Sequence, residues 1–158
     1  MATTELTGAE DVAWDLSDLY AEPAAAAIER DLDAAEAAAK RFAERYRGRV
    51  ASLGAPELAA ALDQLESLLE PPGRAGAYAS LRFAANTSLP AHGALLQRVQ
   101  ERGSVVRNAI VFFQLEWVAL DDARAAALLE GPVLSRRRHL LARGRVVYRA
   151  DWDRVRAP

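Results

Sequence analysis

Two histidines, one glutamate set among aromatics and a knot of arginines are the side chains in this sequence with chemistry to offer. His92 and His139 are each isolated, and no histidine pair has metal-ligand spacing. His92 follows the expected start of a helix at Pro90, a position that suits an exposed polar role. His139 adjoins Arg136, Arg137 and Arg138, whose charge disfavours both protonation of the ring and capture of a cation. Glu116, inside "FFQLEW", is open to two readings. One is an acid whose pKa is raised by apolar surroundings. The favoured one is a partly exposed residue or a carboxylate satisfied by internal hydrogen bonds. No H-E-x-x-H, G-x-S-x-G, P-loop or G-x-G-x-x-G pattern occurs. Without cysteine there is no disulfide, thiolate metal site or cysteine nucleophile. The sequence therefore assigns no catalytic, cofactor-binding or metal-binding residue.

The arginines are unevenly placed. Residues 1–130 hold 12 Arg/Lys against 20 Asp/Glu, whereas residues 131–158 hold 8 Arg against 2 Asp. An acidic body with a basic end is read first as a solvated tail. The alternatives are a tail that folds back, meets an acidic partner or touches nucleic acid. Only Tyr148 and Trp152 accompany "RRRHLLARGR", too few aromatics to favour a nucleic-acid surface.

These groups must be carried by helices, because every periodic segment steps at 3.5–3.6 residues. Pro23 marks the start of a first helix, whose apolar stripe is Ile28, Leu32, Ala35, Ala39, Phe42 and Tyr46. Glu36 and Lys40 are placed for an i,i+4 pair on its outer face, and Gly48 ends it. A second helix starts near Pro56 with a stripe of Leu58, Leu62, Leu65 and Leu69, widened by Ala61 and Leu68, and is expected to stop at Pro71-Pro72-Gly73. A short third helix carries Tyr78, Leu81 and Phe83 as far as Asn86-Thr87-Ser88. A fourth, capped by Ser88 or Leu89, runs from Pro90 to Leu120. Its seam of Val99, Gly103, Val106, Ile110, Phe113, Trp117 and Leu120 alternates by four and three. Gly103 in that seam suggests close approach by another helix. Asp121 and Asp122 cap a fifth helix to Leu129, Gly131-Pro132 breaks it, and a last helix covers Val133 to Ala142. The fold class is all-α: long antiparallel helices joined by short turns.

"WDLSDLY" at residues 14–20 reads as a single turn capped by Asp15, with Asp18 near its positive end. A lone turn is unstable unless docked. Trp14, Leu16, Leu19 and Tyr20 are therefore expected to be buried between the long helices. Residues 1–143 form the helical domain, and 144–158 are expected to be a basic, disordered tail. The polar, acidic opening "MATTELTGAEDVAWD" is unlike a secretory signal, and "NAIVFFQLEWVAL" is too short and too interrupted to span a bilayer, so the expected location is the cytoplasm.

Taken in order, "WDLSDLY", "FAERYRGRV" at 42–50, "YASLRFAANTS" at 78–88 and "FFQLEWVALDD" at 112–122 resemble the N-terminal helical domain of oligoendopeptidase F-type zinc metallopeptidases. The resemblance covers about residues 12–142. It implies a lid of long helices over a separate all-helical catalytic domain that holds zinc through H-E-x-x-H, the two enclosing a channel for oligopeptides. No catalytic or zinc-binding residue carries over. The matching positions are structural: Trp14, Asp15, Leu16, Leu19, Tyr20, Phe42, Tyr46, Gly48, Tyr78, Phe112, Phe113 and Glu116. Pro71-Pro72-Gly73 departs from the family pattern. Beyond Ala142 the text departs again, as it would after a shifted reading frame, in a short protein in its own right, or in a chain deliberately cut short. Two functions remain: a catalytically silent lid domain, or remnant of one, that meets a peptidase domain and oligopeptides; or a free-standing helical interaction module. Self-association is expected, the Val99–Leu120 seam being long enough to serve both an internal neighbour and an external one; the competing expectation is a monomer whose seam is satisfied by the Ile28–Tyr46 helix.

Overall fold

The computed structural model of the chain describes residues 14–22 and 24–145. All regular structure among them is helical. Helix α1 is Ala25–Tyr46, α2 is Ala55–Ala85, α3 is Pro90–Ala119 and α4 is Asp122–Glu130. Residues 138–145 form α5. Two 3₁₀ turns, Val50–Ser52 and Pro132–Arg137, serve as connectors. No helix among the described residues is long and apolar enough to cross a membrane. Pro23, expected to open α1, lies outside the described residues, as do 1–13 and 146–158.

The three long helices each pack on the other two. Arg74 on α2 reaches Asp31 on α1, and Gln64 reaches Tyr46, so α1 and α2 are antiparallel. Arg98 and Arg102 on α3 reach Glu29 and Glu36, while Phe113 stacks near Phe42, so α1 and α3 run parallel. The α1 stripe is buried as read, from Ile28 to Tyr46. So is the α3 seam: Val99, Gly103, Val106, Ile110, Phe113, Trp117 and Leu120 all face inward.

The expected break at Pro71-Pro72-Gly73 does not occur, because α2 runs through both prolines. An interior proline costs about 3 kcal/mol through the lost hydrogen bond and the ring clash. Burial of Leu68 on one side and of Ala75, Tyr78 and Ala79 on the other offsets this, at about 1.5–3 kcal/mol for each large side chain. The buried face keeps its phase across the prolines, with Ala61, Leu68 and Ala75 seven residues apart. The second and third expected helices are therefore one.

The helix ends follow local chemistry. Gly48 adopts a positive φ of 75° and turns the chain out of α1. Glu57 at the start of α2 accepts the Gly54 N–H at 2.9 Å. Asp121 accepts from the Ala123 and Arg124 N–H groups and caps α4. Leu89 occupies the cap position of α3 without a side-chain bond, while Ser88 turns back to Asn86. The expected last helix is displaced: Pro132 favours a 3₁₀ start, and regular helix begins only at residue 138. It runs past the boundary drawn at 143.

Gly103 needs another explanation than helix approach. A Cβ there would meet only the Arg107 side chain, at 3.2 Å, and no backbone of a neighbouring helix.

Candidate binding surface

The groups with chemistry are not assembled into one centre. His92 places Nδ1 3.1 Å from the Asn86 carbonyl at the α2–α3 turn. His139 is exposed on α5. No group of three His, Cys, Asp or Glu among the described residues is placed to hold a metal ion. Glu116 follows the second of its two readings. Its carboxylate accepts the Gly48 N–H at 2.7 Å and the Val50 N–H at 3.2 Å, clamping the turn after α1 to α3. The residues matched at 42–50 and 112–122 thus converge. The rings of Phe42, Tyr46, Phe112 and Phe113 form one cluster with centroids 4.8–6.4 Å apart.

The other matched residues meet at the opposite end. Asp15 accepts the Ser17 N–H at 2.9 Å, and Leu16 O closes the turn with Leu19 and Tyr20. That backbone hydrogen bond holds the Asp15 carboxyl below its ordinary value. Tyr20 is buried edge-on to Tyr78, with Leu16 and Leu19 packed beside them. Trp14 is not buried, being 64% exposed. The turn presents Leu16, Leu19 and Tyr20 on one face, and Trp14 precedes that face by two residues, just over half a turn of helix. The tyrosine hydroxyls make the polar ties. Tyr20 donates to Asp31 at 2.6 Å, and Tyr78 donates to Glu22. The Tyr20 bond, followed by Arg74, holds the Asp31 carboxyl low, while burial and then Asp31 push the Tyr20 phenol up. Tyr78 likewise lowers Glu22, and burial raises Tyr78.

The described part of the basic end is not a solvated tail. Arg137 pairs with Asp63 at 2.5 Å and Glu66 at 2.9 Å on α2, and holds the Glu66 carboxyl low. Arg138 donates to the Leu129 carboxy-terminal carbonyl of α4 at 2.8 Å. Arg145, only 7% exposed, donates to the carbonyls of Trp117 and Leu120 at 2.5 and 2.6 Å and to Asp122 at 2.7 Å. It closes the end of α3, where unsatisfied carbonyls collect. Similarly, Glu36 turns to Arg102 on α3, the same guanidinium that bonds Glu29 and Asp33.

What remains open is surface beside α1. Its central run of alanines is too thin to fill the angles it makes with its neighbours. A groove of about 770 Å³ lies between α1 and α2, over Ala34, Ala38, Phe42, Leu68 and Pro71, with Arg41 and Arg45 on its rim. A second, of about 520 Å³, lies between α1 and α3 beside Val105. Volumes of this order are those of binding clefts. On the outer side of α3, Val111 and Leu115 lie one turn apart and are 47% and 48% exposed. Sequence reading assigned no role to Arg41 and put Arg45 only on the polar face of the first helix; the signal was an i,i+4 arginine pair following the run Ala37-Ala38-Ala39. The arrangement suits recognition: guanidinium groups beside apolar floor bind carboxylates on an apolar carrier.

No family model, curated protein or solved structure matches the chain.

Proposed function

We propose that this chain is a non-catalytic helical docking domain, acting as the lid of an oligopeptide-hydrolysing zinc metallopeptidase of the kind it resembles. The exposed Val111–Leu115 face of α3 is the surface that meets the catalytic domain. The observation that carries this reading is that α3 has a complete inward seam and still presents two large aliphatic side chains outward, one turn apart. Exposed apolar side chains grouped on one element suit a protein contact. In this reading zinc and the general base belong to the partner, and this chain contributes channel wall.

The test is to mix the purified chain with the separately produced catalytic domain of an oligoendopeptidase F-type enzyme. A stable 1:1 complex in size-exclusion chromatography is expected, lost in Val111→Asp/Leu115→Asp. Failure to form the complex removes the lid reading.

The second reading, a free-standing interaction module, is favoured by the burial of the whole Val99–Leu120 seam within the chain. That burial also moves the expected self-association off the seam and onto the outer face. A homodimer that dissociates on Val111→Asp/Leu115→Asp, without binding to the catalytic domain, selects this reading.

A further inference from the structure

We infer that the α1–α2 groove is a docking site for an acidic amphipathic helix of a partner protein. The site is separate from the outer face of α3 and does not depend on the lid reading. Arg41 and Arg45 stand one helical turn apart on the rim, and both are exposed. Arg41 has no hydrogen bond or ion pair among the described residues. Arg45 only lies over the ring of its neighbour Tyr46, 5.1 Å from the centroid. Among the described residues the one acidic lining residue, Asp63, already holds Arg137. The groove therefore carries two uncompensated positive charges above an apolar floor. An occupant has to supply negative charge at one-turn spacing and an apolar face.

Length and shape point to a helix. Arg45 and Ala34 are eleven residues apart on α1, about 16 Å, which matches three turns of an opposing helix. The floor is made by small residues, Ala34 and Ala38, with Phe42 and Leu68 beneath, so a helix with medium-sized aliphatic side chains can approach closely. The groove lies between two packed helices, and a helix seated in it becomes the fourth of a bundle. Carboxylates at i and i+4 on that helix then meet Arg41 and Arg45 as charge-assisted hydrogen bonds. The far end is poor for anions. Pro71 and Pro72 have no N–H to give, so the Ser67 and Leu68 carbonyls keep no α-helical donor there. An acceptor-rich end is unfavourable to a polyphosphate chain running the length of the groove, which separates this occupant from a nucleic acid.

The experiment uses the full chain and a fluorescein-labelled 14-residue helical peptide with Leu and Ala on one face and Glu at i,i+4 along one edge of that face. A second peptide carries Lys in place of each Glu, and a labelled oligo-dT serves as the nucleic-acid probe. Anisotropy should rise on addition of the chain for the Glu peptide alone. Arg41→Glu/Arg45→Glu should weaken that binding at least tenfold. Ala38→Leu, which fills the groove and leaves the charge intact, should also weaken it. Urea midpoints of both variants should stay close to wild type, since Arg41 has no partner among the described residues, Arg45 gives up only its contact with the Tyr46 ring, and Ala38→Leu adds atoms on the open side without removing any. Equal binding of Glu and Lys peptides, binding unaffected by both variants, or tighter binding of oligo-dT through the same arginines would each overturn the proposal.

Discussion

The bundle has two cores of different character, divided where α2 passes through Pro71-Pro72. The larger lies toward the carboxy-terminal ends of α1 and α3 and holds Phe42, Tyr46, Phe112, Phe113 and Trp117. The smaller, at the opposite end, holds Tyr20, Ile28, Leu32, Tyr78 and Val99 with three alanines. Their polar closures differ as well. Around the larger core, Glu116 and Arg145 bind backbone groups, and the Trp117 indole N–H donates to the Leu141 carbonyl. Such closures tie one helix end to another through backbone groups. Around the smaller core, two tyrosine hydroxyls bind half-exposed carboxylates, Asp31 and Glu22, each in turn tied to an arginine. Stability should therefore be concentrated in the aromatic end, with the other end opening first and responding to pH.

The largest effect expected is from Phe113→Ala, which removes a ring that touches three others. A loss of about 3–5 kcal/mol in urea unfolding is predicted for truncation of a buried aromatic. A loss below 1 kcal/mol would show that the two cores are equal in weight. Arg145→Met comes next, at about 2 kcal/mol, because it strips the Trp117 and Leu120 carbonyls of their donor. Deletion of residues 144–158 should cost at least as much, contrary to the neutral deletion that a solvated tail implies.

Tyr20→Phe acts on the smaller core and is expected to cost about 1 kcal/mol near neutrality. Its pH dependence carries the sign of two opposite shifts. Asp31 is lowered from 3.8, so its contribution is complete above that value and fades as pH falls through the depressed one. Tyr20 is raised from 10.0, so its contribution is complete below that value and fades as pH rises through the elevated one. The difference between wild type and Tyr20→Phe should be flat from about pH 5 to 9 and close at both extremes. A difference that grows toward acid would contradict the Tyr20–Asp31 tie. The smallest effect is Trp14→Ala, within about 0.5 kcal/mol, as for an exposed side chain.

Trp14 shows where sequence reading ran out. The turn at Asp15 and the burial of Tyr20 were legible because capping and i,i+3,i+4 spacing are local. Whether Trp14 shares that face depends on its angle before the turn begins, and apolar character alone does not encode it. The seam of α3 was legible down to single residues, since four-three alternation over seven positions has one solution. The prolines of α2 misled for the opposite reason. Their local penalty is real, but Leu68 and Tyr78 on either side outweigh it, and only the seven-residue phase linking Ala61, Leu68 and Ala75 signals continuity. The open grooves were illegible because they are made by what alanine lacks. The partners of Arg137 and Arg145 lie more than twenty residues away in sequence, so local pattern could not tell a basic tail from a set of ties.

Native-state hydrogen exchange along α2 tests the division into two cores most directly, because one helix samples both. Amides of residues 58–68 should exchange only through global unfolding. Those of residues 75–79 should exchange through a smaller opening, with a lower free energy and a weaker urea dependence. Equal protection on both sides of Pro71-Pro72, with the same urea dependence, would contradict the account and make the bundle a single cooperative unit.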